Sequence, residues 1–342
     1  IEEVIILTTT TENDNFNNQT TTFNSLMNQQ EFIKTMNTFG KQGVPFFFMI
    51  NFLKTEAEIY PLSELPETIR YQLNTQKKSS TQTIELEKKP ISFAEYQKKF
   101  NLVHEAILRG DSYLLNLTQP TAIKTKASLP FIFENSHAKF KLLTENFVCF
   151  SPERFIKTQD NKIFSYPMKG TIDATIPDAE KRILSDEKEA AEHATIVDLI
   201  RNDLSQIAEN VTVSRYRYID TIQTPQKTLL QVSSEIVGDL PDDYTARLGT
   251  IFDALLPAGS ICGAPKPKTL ELILRAEEYD RNYYTGVFGI FDGKNLDSAV
   301  MIRFIENING DLYYKSGGGI TSKSNAESEY RELLQKIYVP IC

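Results

Sequence analysis

The chain is poor in cysteine, in long apolar runs and in positive charge, and each absence excludes a class of protein. Its three cysteines, Cys149, Cys262 and Cys342, are far apart and odd in number, so their spacing supports neither a disulfide framework nor a zinc site. Few cysteines fit a reducing, cytoplasmic setting. No apolar run is long enough to cross a bilayer, and residues 4–7 are too short for a signal-peptide core. We therefore expect no membrane partner.

Nucleic-acid and nucleotide binding are also disfavoured. The net charge is −8, which argues against nonspecific contact with a polyanion. The glycine run Gly317-Gly318-Gly319 fits neither a P-loop nor a G-x-G-x-x-G motif. What remains is ordinary for a globular protein, with 41% apolar and 24% charged residues over 342 positions.

The chain divides into three parts by composition. Residues 8–22 are dominated by Thr and Asn, so we expect residues 1–26 to form a disordered N-terminal arm. Residues 27–84 form a short N-terminal region packed on the main domain, with a buried apolar strand at 44–52 and a polar loop at 73–83. Residues 85–342 form that main domain.

The main domain alternates short strand-like runs with helices in separate blocks. Ser92 and Glu95 predict a capping box at the start of one helix, and Asp292-Gly293 and Asn309-Gly310 predict hairpin turns. Strands are expected at 112–118, 147–150, 162–166, 229–237, 285–291, 298–306 and 311–315, and helices at about 178–206, 242–255, 265–278 and 325–338. This arrangement predicts an α+β class of mostly antiparallel sheets flanked by helices.

Two helical segments each carry a pair of glutamates three residues apart. In the first, Glu189, Glu192 and His193 are expected to project from one polar flank. In the second, which Ser324 is expected to cap, Glu329 and Glu332 share a face with Lys336. A solvated surface explains either pair alone. Together, one carboxylate from each helix satisfies the needs of Mg²⁺.

Cationic and glycine-rich elements stand near the second pair in sequence. The run Gly317–Gly319 follows a strand and precedes a helix, which suits an anion-binding turn but also a plain tight turn. Arg303 is expected on one face of the 298–306 strand, where it grips a carboxylate or forms a structural salt bridge. Tyr284 either donates a hydroxyl to the same carboxylate or packs in the core. Residues 260–266 form a Gly/Pro elbow that is structural first and a pocket wall second.

Several of these segments, taken in order, resemble the chorismate-utilising enzymes. The resemblance covers residues 85–340 and is carried by residues 151–155, 167–171, 186–203, 257–266, 284–289, 302–303 and 317–332. It implies an anthranilate-synthase-component-I-like chorismate-binding fold. Within the family the chain is most similar to the aminodeoxychorismate synthase component I enzymes, because Lys169 stands where anthranilate synthases usually have alanine.

The resemblance also implies a reaction, in which chorismate is aminated to 4-amino-4-deoxychorismate on the way to 4-aminobenzoate and folate. Lys169 would attack C2 of chorismate as a neutral amine, its pKa lowered by burial and a nearby metal ion, and Glu153 would be the general acid. Mg²⁺ would be held by Glu192 and Glu332, with Glu189 and Glu329 behind them. The residues expected to contact chorismate are Gly170, Thr171, Tyr284, Arg303, Gly317, Gly318, Gly319 and Lys336. Ammonia would come from a glutamine amidotransferase subunit in a heterodimer.

Two positions depart from the family pattern. Leu114 replaces a glutamine that is common in the amidating enzymes, and Gln231 stands where many members have histidine. Because of these differences, the resemblance does not determine which polar residues surround the leaving group. An anthranilate synthase component I, which would release pyruvate, is the alternative reading, and an inactive chorismate-binding subunit is a third.

Overall fold

A computed structural model describes residues 26–74, 84–223 and 228–340. The predicted N-terminal arm lies outside these ranges except for Leu26, and so does most of the predicted 73–83 loop. The helices in the described ranges are α1 Gln29–Gln42, α2 Phe93–Leu108, α3 Leu129–Asn135, α4 Ala179–Ser185, α5 Glu187–Leu204, α6 Leu248–Leu255, α7 Gly259–Cys262, α8 Lys266–Glu277 and α9 Ala326–Gln335.

Two antiparallel sheets form the centre of the described chain. The larger has, in order across it, β10 Met168–Asp173, β12 Thr228–Asp239, β9 Lys162–Ser165, β8 Arg154–Gln159, β15 Leu296–Val300, β14 Val287–Phe291, β1 Phe46–Ile50 and β2 Ala57–Pro61, with β11 Glu209–Gln223 beside β12. The second has β13 Gly263–Ala264, β5 Leu114–Lys124, β17 Asp311–Ile320, β16 Phe304–Ile308, β7 Phe147–Ser151, β6 Phe140–Leu143 and β3 Arg70–Leu73, with β4 Glu87–Lys89 beside β5.

The alternation of side chains along β1 shows how the layers stack. Phe46 and Phe48 join the apolar cluster that contains residues of α1 and α6, whereas Phe47 and Met49 join a cluster shared with β6, β7 and β16 of the second sheet. The opposite face of the second sheet packs on α2, α8 and α9. The order is therefore helices, sheet, sheet, helices, and the predicted α+β architecture is confirmed.

Short-range signals located several elements correctly. Ser92 Oγ accepts from the Glu95 N–H, and a Glu95 carboxylate oxygen accepts from the Ser92 N–H, as a capping box requires. Asn309 and Gly310 both have positive φ, 54° and 97°, in the hairpin between β16 and β17. The Asp292-Gly293 turn joins β14 to β15.

The predicted continuous strand at 298–306 is wrong. β15 ends at Val300 in the larger sheet, and β16 begins at Phe304 in the second sheet. Arg303 has φ 54° at this crossing, so it does not alternate with Met301 on a sheet face. The chain changes sheets here because both segments are apolar and each fills a different layer.

Three further boundaries differ from the predictions. The glycine run at 317–319 is not a turn, because it lies inside β17 and pairs with Asn116, Leu117 and Thr118 of β5. The predicted 178–206 helix divides at Asp186, which ends α4 and caps α5. Asn325, not Ser324, caps α9, since its side chain accepts from the N–H groups of the first turn.

The predicted N-terminal region supplies strands to both sheets. β1 pairs with β14 on one side and with β2 on the other, and β3 pairs with β6. The helix α1 packs against α6. Residues 46–50 thus lie inside the larger sheet of the described chain, and the division at residue 84 stays a prediction.

Candidate active site

A cavity of about 290 Å³ lies where β10, α5, α7 and the β5–β17 pair meet. Its lining brings together residues from six separate stretches of the chain. These are Tyr113, Leu114, Asn116, Glu153, Pro167, Met168, Lys169, Lys188, Ala191, Glu192, Thr195, Ile196, Ser260, Gly263, Gly319, Thr321, Ser322 and Lys323. Of the residues predicted from sequence, Lys169, Glu153, Glu192 and Gly319 line it directly.

Lys169 projects from β10 toward α5. Its Nζ lies 2.7 Å from Glu192 Oε2, and its side chain is 34% exposed. Burial lowers the pKa of Lys169, as expected, but the hydrogen bond and charge of Glu192, with the charges of Glu189 and Glu332, more than offset it. The net pKa is raised, so Lys169 is a protonated amine while Glu192 is its partner.

Glu153 lies in the turn between β7 and β8, on the same cavity. Its Oε1 accepts a hydrogen bond of 2.8 Å from Ser260 Oγ. Burial raises the pKa of Glu153, and the Ser260 hydrogen bond and the charge of Lys336 oppose that rise without cancelling it. The carboxyl therefore keeps its proton to a higher pH than an exposed glutamate, which suits a general acid.

The second acidic pair lies on α9, against the glycine segment of β17. Lys336 Nζ lies 2.7 Å from Glu332 Oε1 and also donates to the Gly317 carbonyl at 2.8 Å. A Cβ at residue 318 would lie 3.2 Å from Glu329 Oε2, so glycine there admits the helix carboxylate. Burial raises the pKa of Glu329, whereas for Glu332 the charge and hydrogen bond of Lys336 outweigh burial and lower it.

The two acidic helices converge on Lys169. The charges of Glu189 and Glu192 from α5 and of Glu332 from α9 all raise its pKa. Lys188 of α5 lies 3.8 Å from Glu192 Oε1, and its charge also reaches Glu332 on the other helix. The lysine predicted as a reactant therefore lies between the two predicted acidic pairs.

The donor set fits Mg²⁺ in kind, since it consists of carboxylate oxygens. Within residues 26–74, 84–223 and 228–340, no group of three or more His, Cys, Asp or Glu residues is gathered closely enough to hold a metal ion. Two protein carboxylates are enough for Mg²⁺, which keeps water or substrate oxygens in its other positions. Glu192 and Glu332 each have a lysine partner instead.

Gly170 and Thr171 continue β10 beyond Lys169 and are held by Gln231 of β12. Thr171 Oγ1 donates to Gln231 Oε1 at 3.2 Å, and Gln231 Nε2 donates to the Gly170 carbonyl at 3.0 Å. Gln231, which departs from the family pattern, thus holds the strand that carries Lys169 through two hydrogen bonds. Gly170 and Thr171 themselves are not part of the cavity lining.

Tyr284 and Arg303 lie away from the cavity wall. The Tyr284 side chain is buried between the sheets, 4% exposed, with its ring 5.9 Å from the Phe304 ring. Arg303 Nη1 donates to the Lys336 carbonyl at 3.2 Å, and its guanidinium lies 5.0 Å from the centre of the Tyr338 ring. Arg303 thereby contacts the C-terminal end of α9. Gly317, Gly318, Lys336, Glu189, Glu329 and Glu332 also lie outside the lining.

The predicted polar flank of α5 is wrong at His193. Its ring is 1% exposed, and Nε2 lies 2.7 Å from Ser234 Oγ. Burial, assisted by the charge of Arg217 and opposed by the backbone of Lys169, lowers the pKa of His193 to about 4. This residue therefore faces β12, where Ser234 is its hydroxyl partner.

Sequence reasoning missed part of the cavity wall. Asn116, Thr321, Ser322 and Lys323 line it but were not singled out, although the last three lie in the 317–332 segment that carries the resemblance. Ser260 belongs to the Gly/Pro elbow, whose position before a helix was a signal for a pocket wall. Leu114 lines the cavity as well, so the wall is apolar at this position.

The two-sheet fold and the lysine- and glutamate-lined cavity agree with the class of protein that the sequence resembles. A family model described as chorismate binding enzyme matches residues 10–341, well beyond the 85–340 of the predicted resemblance. The chain belongs to the chorismate binding enzyme family.

The chain is also similar to individual proteins. An uncharacterized PabA-like protein of Pasteurella multocida is 52% identical over 323 residues, covering 92% of this chain and 100% of the relative. Aminodeoxychorismate synthase component 1 of Escherichia coli K12 is 32% identical over 259 residues, covering 71% of this chain and 56% of the relative. The crystal structure of anthranilate synthase component I from Streptococcus pneumoniae has a TM-score of 0.62 at 23% identity, covering 76% of this chain and 60% of that one.

The described residues contain no helix that could cross a membrane. None of their helices combines the length and the apolar character that a span requires.

Proposed function

We propose that this protein is an aminodeoxychorismate synthase component I, which aminates chorismate to 4-amino-4-deoxychorismate in an Mg²⁺-dependent reaction. The observation that carries the proposal is the presence of Lys169 and the half-buried acid Glu153 on one cavity wall. The similarity to the Escherichia coli enzyme of that name supports the reaction. The product would serve 4-aminobenzoate and folate synthesis in the cytoplasm.

Lys169 is the proposed nucleophile. Its neutral amine attacks C2 of chorismate, both ring double bonds shift, and the C4 hydroxyl leaves. Glu153 donates a proton to that hydroxyl, which departs as water. Ammonia then adds at C4 as both double bonds shift back, and Lys169 leaves C2 as a neutral amine. The ammonium group formed at C4 returns a proton to the Glu153 carboxylate.

Glu192 and Glu332 are the residues that would hold Mg²⁺, with Glu189 and Glu329 oriented behind them. When bound, the ion supplies positive charge for the ring carboxylate of the substrate. Glu192 now serves Lys169 as its strongest carboxylate partner. Engaging Glu192 elsewhere removes the main cause of the raised lysine pKa and favours the neutral amine that attack requires.

The anionic parts of chorismate would be bound by the groups around α9. Lys336 offers an ammonium group. The pairing between β16 and β17 ends at Phe304 and Lys315, so Gly317 to Gly319 lie beyond it. Past this point one edge of the glycine segment is not covered by β16. Gly170, Thr171, Tyr284 and Arg303 stay proposed contacts on the strength of the family resemblance.

Ammonia would be supplied by a glutamine amidotransferase subunit. Cys149 and Cys262 are buried, and burial raises the pKa of Cys262 to about 11, so neither is a thiolate suited to glutamine hydrolysis. On the strength of the family resemblance, we propose a heterodimer in which another chain hydrolyses glutamine.

Product analysis tests this function. With chorismate, Mg²⁺ and ammonium, mass spectrometry should detect 4-amino-4-deoxychorismate, and a coupled assay should find no pyruvate. Anthranilate with equimolar pyruvate would instead assign the anthranilate synthase reaction. Chorismate binding without any turnover, even with an added glutaminase subunit, would indicate an inactive binding subunit.

A further inference from the structure

Ser260 is in direct contact with the proposed general acid. Its hydroxyl donates to Glu153 Oε1 at 2.8 Å, and both residues line the same cavity. Resting on the proposed function, we infer that Ser260 is a positioning residue for Glu153, which selects the carboxyl oxygen that delivers the proton and stabilises the carboxylate left behind.

The position of Ser260 is fixed by its surroundings. It lies on α7, whose Ile261 and Cys262 are buried. On the α5 side, a Cβ at residue 259 would lie 2.5 Å from Asp203 Oδ2, so only glycine lets the helix approach that carboxylate. Asp203 Oδ2 is itself held by Lys266 Nζ at 2.8 Å. The hydroxyl is therefore presented by a packed helical segment and not by an exposed loop.

A smaller cavity lies on the other side of Glu153 and Ser260. Both residues line it together with Ser165, Asp203 and Gly259. Glu153 thus lies between two cavities. A fixed hydrogen-bond partner is needed to hold the orientation of its carboxyl group. Within the described part of the chain, Ser260 is the side chain that supplies a hydrogen bond to the Glu153 carboxyl.

The other charged groups near Glu153 are already engaged. Lys169 is paired with Glu192 in the larger cavity, and Lys336 is paired with Glu332. Behind Glu153, Arg154 is paired with Asp297 and Asp203 with Lys266, which leaves Lys336 as the charge that acts on Glu153 from a distance.

The two carboxyl oxygens of Glu153 have different roles. Because Oε1 accepts from Ser260, the proton is carried on Oε2. As that proton passes to the C4 hydroxyl, the hydrogen bond from Ser260 becomes charge-assisted and strengthens. Ser260 therefore contributes more to the transition state than to substrate binding.

The test is Ser260→Ala, with Ser260→Thr as the conservative variant. In Ser260→Ala we expect kcat to fall about 10- to 100-fold, since a hydrogen bond to a charged group is lost, while KM changes less than about twofold. The alkaline limb of the kcat profile should move to higher pH, because the variant carboxyl holds its proton longer. Ser260→Thr should restore both properties.

Ser165→Ala is the matched control. It removes a hydroxyl from the smaller cavity, but Ser165 donates to the Phe155 carbonyl and not to Glu153. Its kcat and pH profile should match those of the unmodified protein. An unchanged kcat and profile in Ser260→Ala, or equal losses in both alanine variants, would overturn the inference.

An infrared titration of the Glu153 carboxyl separates this inference from the proposed function. The signal is the difference between the unmodified protein and Glu153→Gln, and it needs no turnover. Ser260→Ala should move that titration to higher pH whichever chorismate reaction the protein catalyses. An unmoved titration would contradict the role of Ser260 and leave the product analysis as it stands.

Discussion

At the scale of single residues, Glu192 has two competing partners, Lys169 and the proposed Mg²⁺. It accepts from Lys169 at 2.7 Å, and it is the carboxylate of α5 proposed to hold Mg²⁺. Its side chain is 18% exposed, so water screens its interaction with a charged partner only weakly. The protonation of Lys169 therefore depends on what Glu192 binds.

Glu192→Gln tests the metal assignment. The amide keeps the shape but loses the charge, so Mg²⁺ affinity, measured by calorimetry, should fall by at least about tenfold. Glu187→Gln, an exposed glutamate on the same helix, is the control and should leave the affinity unchanged. Equal Mg²⁺ affinities in both variants would show that the ligand is elsewhere.

His193 predicts a pH dependence of stability. Its pKa is about 4 in the folded protein and 6.5 when unfolded, so between these values the unfolded chain binds more protons. The free energy of unfolding should thus be highest above pH 6.5 and fall by up to about 3 kcal/mol as the pH approaches 4. Urea titrations of the unmodified protein and His193→Gln should show a steeper fall in the former. Parallel curves would mean that His193 is not held neutral.

At the scale of elements, sequence signals succeeded where the cause was local. The capping box at Ser92 and the turn at Asn309-Gly310 depend on neighbouring residues alone. The sheet crossing at Arg303 could not be read from sequence, because the apolar pattern on both sides is the same whether the chain stays in one sheet or changes to another. The strand placement of Gly318 also escaped prediction, since its reason is the approach of Glu329 from a helix that follows in sequence.

Two ion pairs with the same i, i+4 spacing differ in burial, and burial determines how much each pair contributes to stability. Glu277 at the end of α8 is paired with Arg281, and both side chains are at most 2% exposed. Glu277 Oε1 also accepts from the N–H and hydroxyl of Thr118 on β5, at 2.7 and 2.8 Å. Glu327 on α9 is paired with Arg331 at the same separation, but both are more than 60% exposed.

The two pairs should respond differently to the same substitution. Glu277→Gln leaves Arg281 as a buried unpaired charge, so we expect a loss of about 3–5 kcal/mol in the free energy of unfolding. Glu327→Gln should cost less than about 0.5 kcal/mol, since water screens that pair. Denaturation in urea measures both, and a similar loss in the two variants would contradict this account of the buried pair.

At the scale of the whole molecule, the resemblance predicted the layered α+β fold and located the cavity residues Lys169, Glu153 and Glu192. It could not place Tyr284 or Arg303, because a family contact read from sequence does not say whether a side chain faces the cavity or the layer between the sheets. Nor did composition show that residues 46–50 lie within the larger sheet.

Phe47 tests whether the layers unfold as one unit. Its side chain is fully buried between the sheets and stacks on Tyr71, with ring centres 5.6 Å apart. Phe47→Ala should lower the free energy of unfolding by about 3–5 kcal/mol in a single transition, seen alike by circular dichroism and fluorescence. Phe131→Ala, at a 39% exposed position, should cost much less. Two separate transitions would indicate that the N-terminal strands fold independently.

The rate of amination by Lys169→Ala tests the central claim most directly. With chorismate, Mg²⁺ and ammonium, formation of 4-amino-4-deoxychorismate should be lost or slowed by at least about a thousandfold, while chorismate affinity stays within a few-fold. Lys188→Ala, which removes a second lysine near Glu192, should keep most of the activity. Amination by Lys169→Ala at the rate of the unmodified protein would contradict the covalent role of Lys169.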